Sequence, residues 1–330
     1  MWLSILACTA QPDDFGSPVR GTGLMEETDW ACEGATFNEE DLSLEMVSGD
    51  VVTLDTPGTL TLCPGTWFAQ LVVTADVVIE GAGPERTVLS GGESFTPIVV
   101  QDADVTVQDL NVDRGAARSE EGNAGSGGAL RCVEGGHVRM ENLHLTNNTA
   151  YDGGGAYARD GCELTVDSCQ FIENRSVDDG GAVRVNHGEA TIRDSTFVRN
   201  VARDGGALLF HESTVLIEGS TFTDNESTDT QGGAILHYFA PLTIRSSHFE
   251  VNRSLSYGGA LGLFGETTLA DVSFEGNVST WGGGVVLYPP NTLSCTGCRF
   301  TDNDPDDVQL YDGDSYTLSG DFTCTAEGCD

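Results

Sequence analysis

Asp178 and Asp179, followed at once by a glycine pair and then by His187-Gly188 and Arg193, are the residues of this sequence best suited to chemistry. Carboxylates a few ångströms apart can supply the acid and base of a hydrolysis, and acids that hold Ca²⁺ beside an Arg can support an elimination. Asp before glycines also makes a good turn, which needs no catalytic role. A second set lies near the same glycines. Asp179 and Asp204 immediately precede successive Gly pairs, while Asp152 and Asp178 lie one position earlier in theirs. Stacked carboxylates repel unless something positive intervenes. Ca²⁺ held by Asp152, Asp178, Asp179 and Asp204 is one solution, and Arg175, Arg199 and Arg203 nearby are a metal-free one. His187, His211 and His237 follow the glycines at drifting offsets of five, four and three from the Ala, which argues against a preformed transition-metal site. Calcium is thus the one candidate cofactor.

Composition narrows the field. The chain has 52 acidic residues against 15 basic ones, all Arg, for a formal charge of −37. No basic face can neutralise phosphates, so nucleic acid is excluded as a partner. Without Lys there is no Schiff-base lysine, P-loop lysine or polybasic membrane patch. At 39% hydrophobic the chain can still bury a core, and its charge reads as a solvated, self-repelling surface that favours a monomer. Ten cysteines point to an oxidising compartment. No apolar run approaches the ~20 residues of a spanning helix.

The elements that must position these acids form a repeat. Gly-Gly-Ala recurs at Gly127, Gly154, Gly180, Gly205, Gly232 and Gly258, and Gly283-Gly284-Val285 closes the series. Between these steps an aromatic is followed three residues later by Asn: Phe171/Asn174, Phe197/Asn200, Phe222/Asn225, Phe249/Asn252, Phe274/Asn277 and Phe300/Asn303, with Leu145/Asn148 as the first pair. Both series keep a period of 25 to 27 residues, the mark of a solenoid. Alternation such as Ala190, Ile192, Ser195, Phe197 is strand, and no unit has room for a helix. The expected fold is all-β: a single-stranded right-handed parallel β-helix of about ten coils. Stacked coils place Phe on Phe inside and Asn148, Asn174, Asn200, Asn225, Asn252, Asn277 and Asn303 in a hydrogen-bonded ladder at a corner.

Upstream, Cys63-Pro64-Gly65-Thr66-Trp67 and Gly81-Ala82-Gly83 resemble the opening coils of the bacterial pectin-lyase-like superfamily. The Gly-Gly-Ala and Phe-x-x-Asn pair resembles the repeats of chlamydial polymorphic outer-membrane proteins, which are surface adhesins. The first resemblance implies polysaccharide lyases and hydrolases as relatives, the second a surface role. Asp178-Asp179 and His187-Gly188 are similar to polygalacturonase motifs, but there the two lie about one coil apart and here they are eight residues apart.

Ile5-Leu6-Ala7-Cys8 resembles the lipobox of bacterial lipoproteins, which implies a lipid on the Cys8 thiol. The division expected is a lipoprotein-type signal segment at 1–8, a tether and N-terminal cap at 9–45, the β-helix at 46–303 and a C-terminal cap at 304–330. The expected staples are Cys32–Cys63, Cys132–Cys162, Cys295–Cys298 and Cys324–Cys329, leaving Cys169 unpaired where Ser195, Ser220 and Ser247 stand in other coils. Sequons at Asn174, Asn225, Asn252 and Asn277 coincide with the ladder and are read as turns, not glycan sites. The function expected is a non-catalytic, extracytoplasmic bacterial scaffold. It would be anchored to the outer membrane or cell surface through Cys8, or secreted, and bind a surface polysaccharide or protein. A polysaccharide lyase or hydrolase with divergent acids is the alternative.

Overall fold

The computed structural model describes residues 35–38, 50–117, 125–289, 291–311, 316–320, 324–325 and 328–329. Cys8 and Cys32 lie outside them. One repeat shows how the sequence builds a coil. After Gly180-Gly181-Ala182, Val183–Asn186 forms a first strand whose Val183 and Val185 point inward. The chain turns at His187-Gly188 into a second strand, Glu189–Arg193, with Ala190 and Ile192 buried. It turns again into a third, Thr196–Val198, with Phe197 buried, and after Asn200 into a two-residue fourth, Val201–Ala202. Each strand pairs in parallel with its counterpart one coil on, so the repeats stack into four ladders. Parallel crossovers of this kind take a right-handed path.

The register puts like on like. In the second ladder Ile79, Val107, Met140, Val166, Ile192, Ile217, Ile244 and Leu269 are consecutive Cα partners, all buried. In the third, the rings of Phe171, Phe197, Phe222, Phe249, Phe274 and Phe300 stack at centroid spacings of 4.7 to 5.1 Å, the rise from one coil to the next. The Asn ladder forms as expected. Asn200 Nδ2 donates to Asn225 Oδ1 at 3.0 Å and to the Phe171 carbonyl at 2.9 Å, and the pattern repeats from Asn148 to Asn303. A smaller ladder runs beside it: Ser195 N donates to Ser220 Oγ and Ser220 N to Ser247 Oγ. Cys169 continues that row with its sulfur, accepting from Leu143 N, and it is a free, buried thiol.

Cys132–Cys162 and Cys295–Cys298 are disulfides, and Cys324 faces Cys329 across an antiparallel pair. Solenoid pairing continues past Asn303, where the sequence predicts a cap: Val308–Leu310 and Tyr316–Gly320 add parallel strands to the first and second ladders. The strands that reverse direction lie further out. Ala35–Asn38 runs antiparallel to Gly58–Leu62, and Cys329 pairs antiparallel with Val308.

Candidate active site

The chain passes from the fourth ladder to the first through a glycine in the left-handed region, with φ of 60° at Gly153, 62° at Gly180 and 61° at Gly205. A Cβ on the following Gly181 would overlap the Gly206 carbonyl of the next coil, so the second glycine is required by close approach. This corner sets the row of residues before it. Gly153 N donates to the Asp179 carbonyl and Gly180 N to the Asp204 carbonyl, which stacks Asp152, Asp179 and Asp204 in register. The sequence expectation is corrected here by one residue. In the run Gly153-Gly154-Gly155 the corner glycine is Gly153, so Asp152 lies directly over Asp179, and Gly155 stands where other coils have Ala. Gly282-Gly283-Gly284 shifts in the same way.

The outer face of the first ladder packs beneath this corner, and there Arg184 stands between Tyr157 and Leu209 in register. Its Nη1 contacts Asp152 Oδ1 and lies 3.0 Å from Asp179 Oδ2. Arg203 holds the other two acids, with Nη1 2.6 Å from Asp178 Oδ1 and Nε 3.4 Å from Asp204 Oδ2. Asp204 Oδ1 also accepts from Thr230 Oγ1 and, at 3.1 Å, from Gln231 N. Carboxylate oxygens of Asp152, Asp178 and Asp179 lie within 4.8 Å of one another, and Arg203 links Asp204 to Asp178. The positive charge among them is guanidinium. Arg203 was anticipated; Arg175 and Arg199 instead line a polar groove with Glu173 and Glu226, where Arg199 lies 2.8 Å from Glu173.

Burial pushes the Asp179 carboxyl up to about 7; Arg184 opposes this, and the neighbouring Asp178, Asp152 and Asp204 add to it. Asp152 is raised in the same sense by burial, with Arg184 again opposing. Tyr238 is pushed up to about 12, by burial first and then by the charges of Asp204 and Asp179, which places its phenol in the field of the same cluster. Near neutrality, therefore, Asp179 holds a dissociable proton.

The histidines divide. His187 and His211 meet at a ring spacing of 5.5 Å, with His187 Nε2 3.2 Å from Glu212 Oε2, and these three place ligand atoms within 4.8 Å of one another. His237 points the other way into the core, in register with Phe210 and Leu263, because the period-2 alternation reverses with the one-residue drift. Arg193 pairs with Glu218 on the second ladder, away from Asp178 and Asp179. Sequence reasoning missed Arg184, Thr230 and Tyr238. The available signal for Arg184 was its recurrence with Arg131 in a row that also holds Tyr157, Leu209 and Leu236.

The right handed beta helix region family matches residues 97–249 and 128–323, more than half of the chain. The chain belongs to that family. No curated protein sequence matches it. Among solved structures it is similar to the Agl-KA catalytic domain, at 12% identity and a TM-score of 0.45 over 79% of this chain and 62% of that one. A PL6 alginate lyase in complex with a trisaccharide aligns at 12% identity and 0.28, covering 86% of this chain and 85% of that one. The tailspike protein of Acinetobacter baumannii bacteriophage Fri1, a capsular polysaccharide depolymerase, aligns at 10% and 0.30, covering 83% and 61%. The chain thus spans less than two thirds of the Agl-KA and tailspike chains. At these identities the likeness is one of fold. The expectation that the chain is not an enzyme is corrected: these structures are a catalytic domain, an alginate lyase and a capsular polysaccharide depolymerase. The acids and arginines of adjacent coils are gathered at this corner.

Proposed function

We propose that this β-helix protein hydrolyses glycosidic bonds, with Asp179 as general acid and Asp204 as the partner carboxylate. The observation that carries the reading is the cluster itself: carboxylates from three adjacent coils converge on Arg184 and Arg203, and Asp179 retains its proton to about pH 7. Asp179 would protonate the leaving oxygen as the bond to the anomeric carbon breaks. Asp204, one coil along in backbone register with Asp179, at a rise of roughly 4.8 Å, would attack that carbon as the nucleophile. Water would then hydrolyse the glycosyl ester, returning its proton to Asp179. Thr230, Gln231 and Arg203 hold Asp204 in place, and Arg184 holds Asp152 and Asp179.

An elimination is less well supported. It needs a cation for the substrate's uronate carboxylate, and both guanidinium groups of the cluster are already paired with Asp. Action outside the cytoplasm belongs to the proposal and is supported by the two disulfides. The test is release of reducing ends from a polysaccharide panel. Wild type should release them, and Asp179→Asn and Asp204→Asn should each lose at least 100-fold in kcat while keeping their melting temperatures above ambient. Undiminished activity in either variant would overturn the assignment.

A further inference from the structure

We infer that the pocket beside Phe239 and Phe264 is a binding subsite for an uncharged sugar ring of a neutral glycan. This rests on the hydrolase reading and names its substrate class. Phe239 occupies the turn between the first and second strands, a position held by Asp160, His187 and Glu212 in earlier coils, and its φ is +62°. The turn takes a positive φ in each of these coils, so the backbone angle belongs to the fold, and what sets this coil apart is the bulky apolar side chain it carries where the others carry polar ones. Its ring is 64% exposed, although an apolar side chain is more often buried. The backbone is held there by a 2.7 Å bond from Phe239 N to the Phe264 carbonyl.

The pocket, of about 370 Å³, is lined by Phe239, Pro241, Phe264 and Pro289 with Glu266 at its side. Rigid apolar walls beside one polar acceptor suit a pyranose ring, whose C–H face packs on aromatic carbon while its hydroxyls reach a carboxylate. The pocket lies at the end of the first-ladder strands and the acid cluster at the corner before them. Tyr238, which lies in the field of Asp179 and Asp204, stacks on Phe264 at 4.6 Å, and His211 lies 6.0 Å from the Phe239 ring. A glycan crossing the outer face of the first ladder obliquely would pass from Phe239 over Tyr238 toward Asp204 and Asp179.

Charge excludes the other glycan class. A chain at −37 repels polyuronates, the one charged group lining the pocket is Glu266, and Arg184 and Arg203 are committed to Asp.

The experiment is affinity electrophoresis and calorimetry of the full chain with neutral oligosaccharides of β-glucan, xylan and α-glucan type, set against oligogalacturonate and oligoalginate. At least one neutral series should bind and both polyuronates should not. Phe239→Gly, which suits the positive φ and leaves the fold intact, should weaken binding at least tenfold, and Phe239→Trp should restore it. Failure of all neutral series, binding of a polyuronate, or equal binding by Phe239→Gly would overturn the subsite. Asp179→Asn separates the two readings: it should bind as wild type does while releasing no reducing ends. Phe239-dependent binding by a wild type that cleaves nothing would refute the hydrolase and leave the subsite standing.

Discussion

Asp179 combines two demands that ordinarily conflict, since burial favours its neutral form while the Arg184 contact favours its charge. Burial prevails. A folded value of about 7 against an ordinary 3.8 means that the native state binds more protons than the unfolded state between those limits. The contribution of Asp179 to stability is therefore complete below about pH 3.8 and is lost as pH rises through 7. Asp179→Asn should match wild type near pH 3.5 and exceed it in melting temperature at pH 8, as scanning calorimetry across that range can show. The same proton should set the alkaline limb of the activity profile near pH 7. His237 has the opposite sign. Burial pushes it down to about 4, so its stabilising contribution is present above about pH 6.5 and is lost as pH falls toward 4. His237→Leu, which matches Leu263 one coil on, should flatten the acid-side loss of stability. A variant as acid-sensitive as wild type would show that other groups dominate.

At the scale of the element, each ladder is a stack of near-identical contacts, so an interruption is felt by both neighbours. Asn225 is fully buried, donates to Asn252 and to the Phe197 carbonyl, and accepts from Asn200. Asn225→Ala should cost about 1–3 kcal/mol by leaving those groups unpaired, and Phe222→Ala about 3–5 kcal/mol through the cavity it opens. Both are measurable by urea denaturation, and an unchanged midpoint would contradict the ladder's structural role. These rows were legible in the sequence because one residue type recurs at one place in every coil: Asn200, Asn225 and Asn252 announce each other. The site was legible only in part. Asp152, Asp178, Asp179 and Asp204 stood out beside the glycines, but Arg184 shares its row with Arg131, Tyr157 and Leu209, and two charges separated by a Tyr keep no coil-by-coil repeat to reveal them. The triple glycines hid the true register because each of three adjacent residues could have served as the corner. Phe239 was not found for a similar reason: its turn position carries Asp160, His187 and Glu212 in earlier coils, so one exposed aromatic there has no repeat to reveal it.

For the molecule as a whole, a charge of −37 is the dominant long-range term, and salt should stabilise the fold by screening it. Specific metal binding is a separate matter. Arg184 and Arg203 already supply positive charge to Asp152, Asp178, Asp179 and Asp204, so CaCl₂ and NaCl at equal ionic strength should raise the melting temperature equally. A clear excess with Ca²⁺ that disappears in Asp152→Asn would establish a cation site at these carboxylates.

The Asn ladder also has a direction. From amide to amide, each Nδ2 donates to the Oδ1 of the next coil and each Oδ1 accepts from the coil before, from Asn148, whose oxygen receives Gly115 N, to Asn303. The second Nδ2 hydrogen donates back to a backbone carbonyl of the coil before. Aligned amide dipoles add and polarise one another, so the row is an electrically polar wire with its negative end at Asn148 and its positive end at Asn303. The positive end meets the Asp307 carboxylate, 2.8 Å from Asn303 Nδ2. A carboxylate there does for the solenoid what an acidic residue does for the amino end of a helix. The two ends of the rod are therefore electrostatically unlike, and strands would add to or peel from them at different rates.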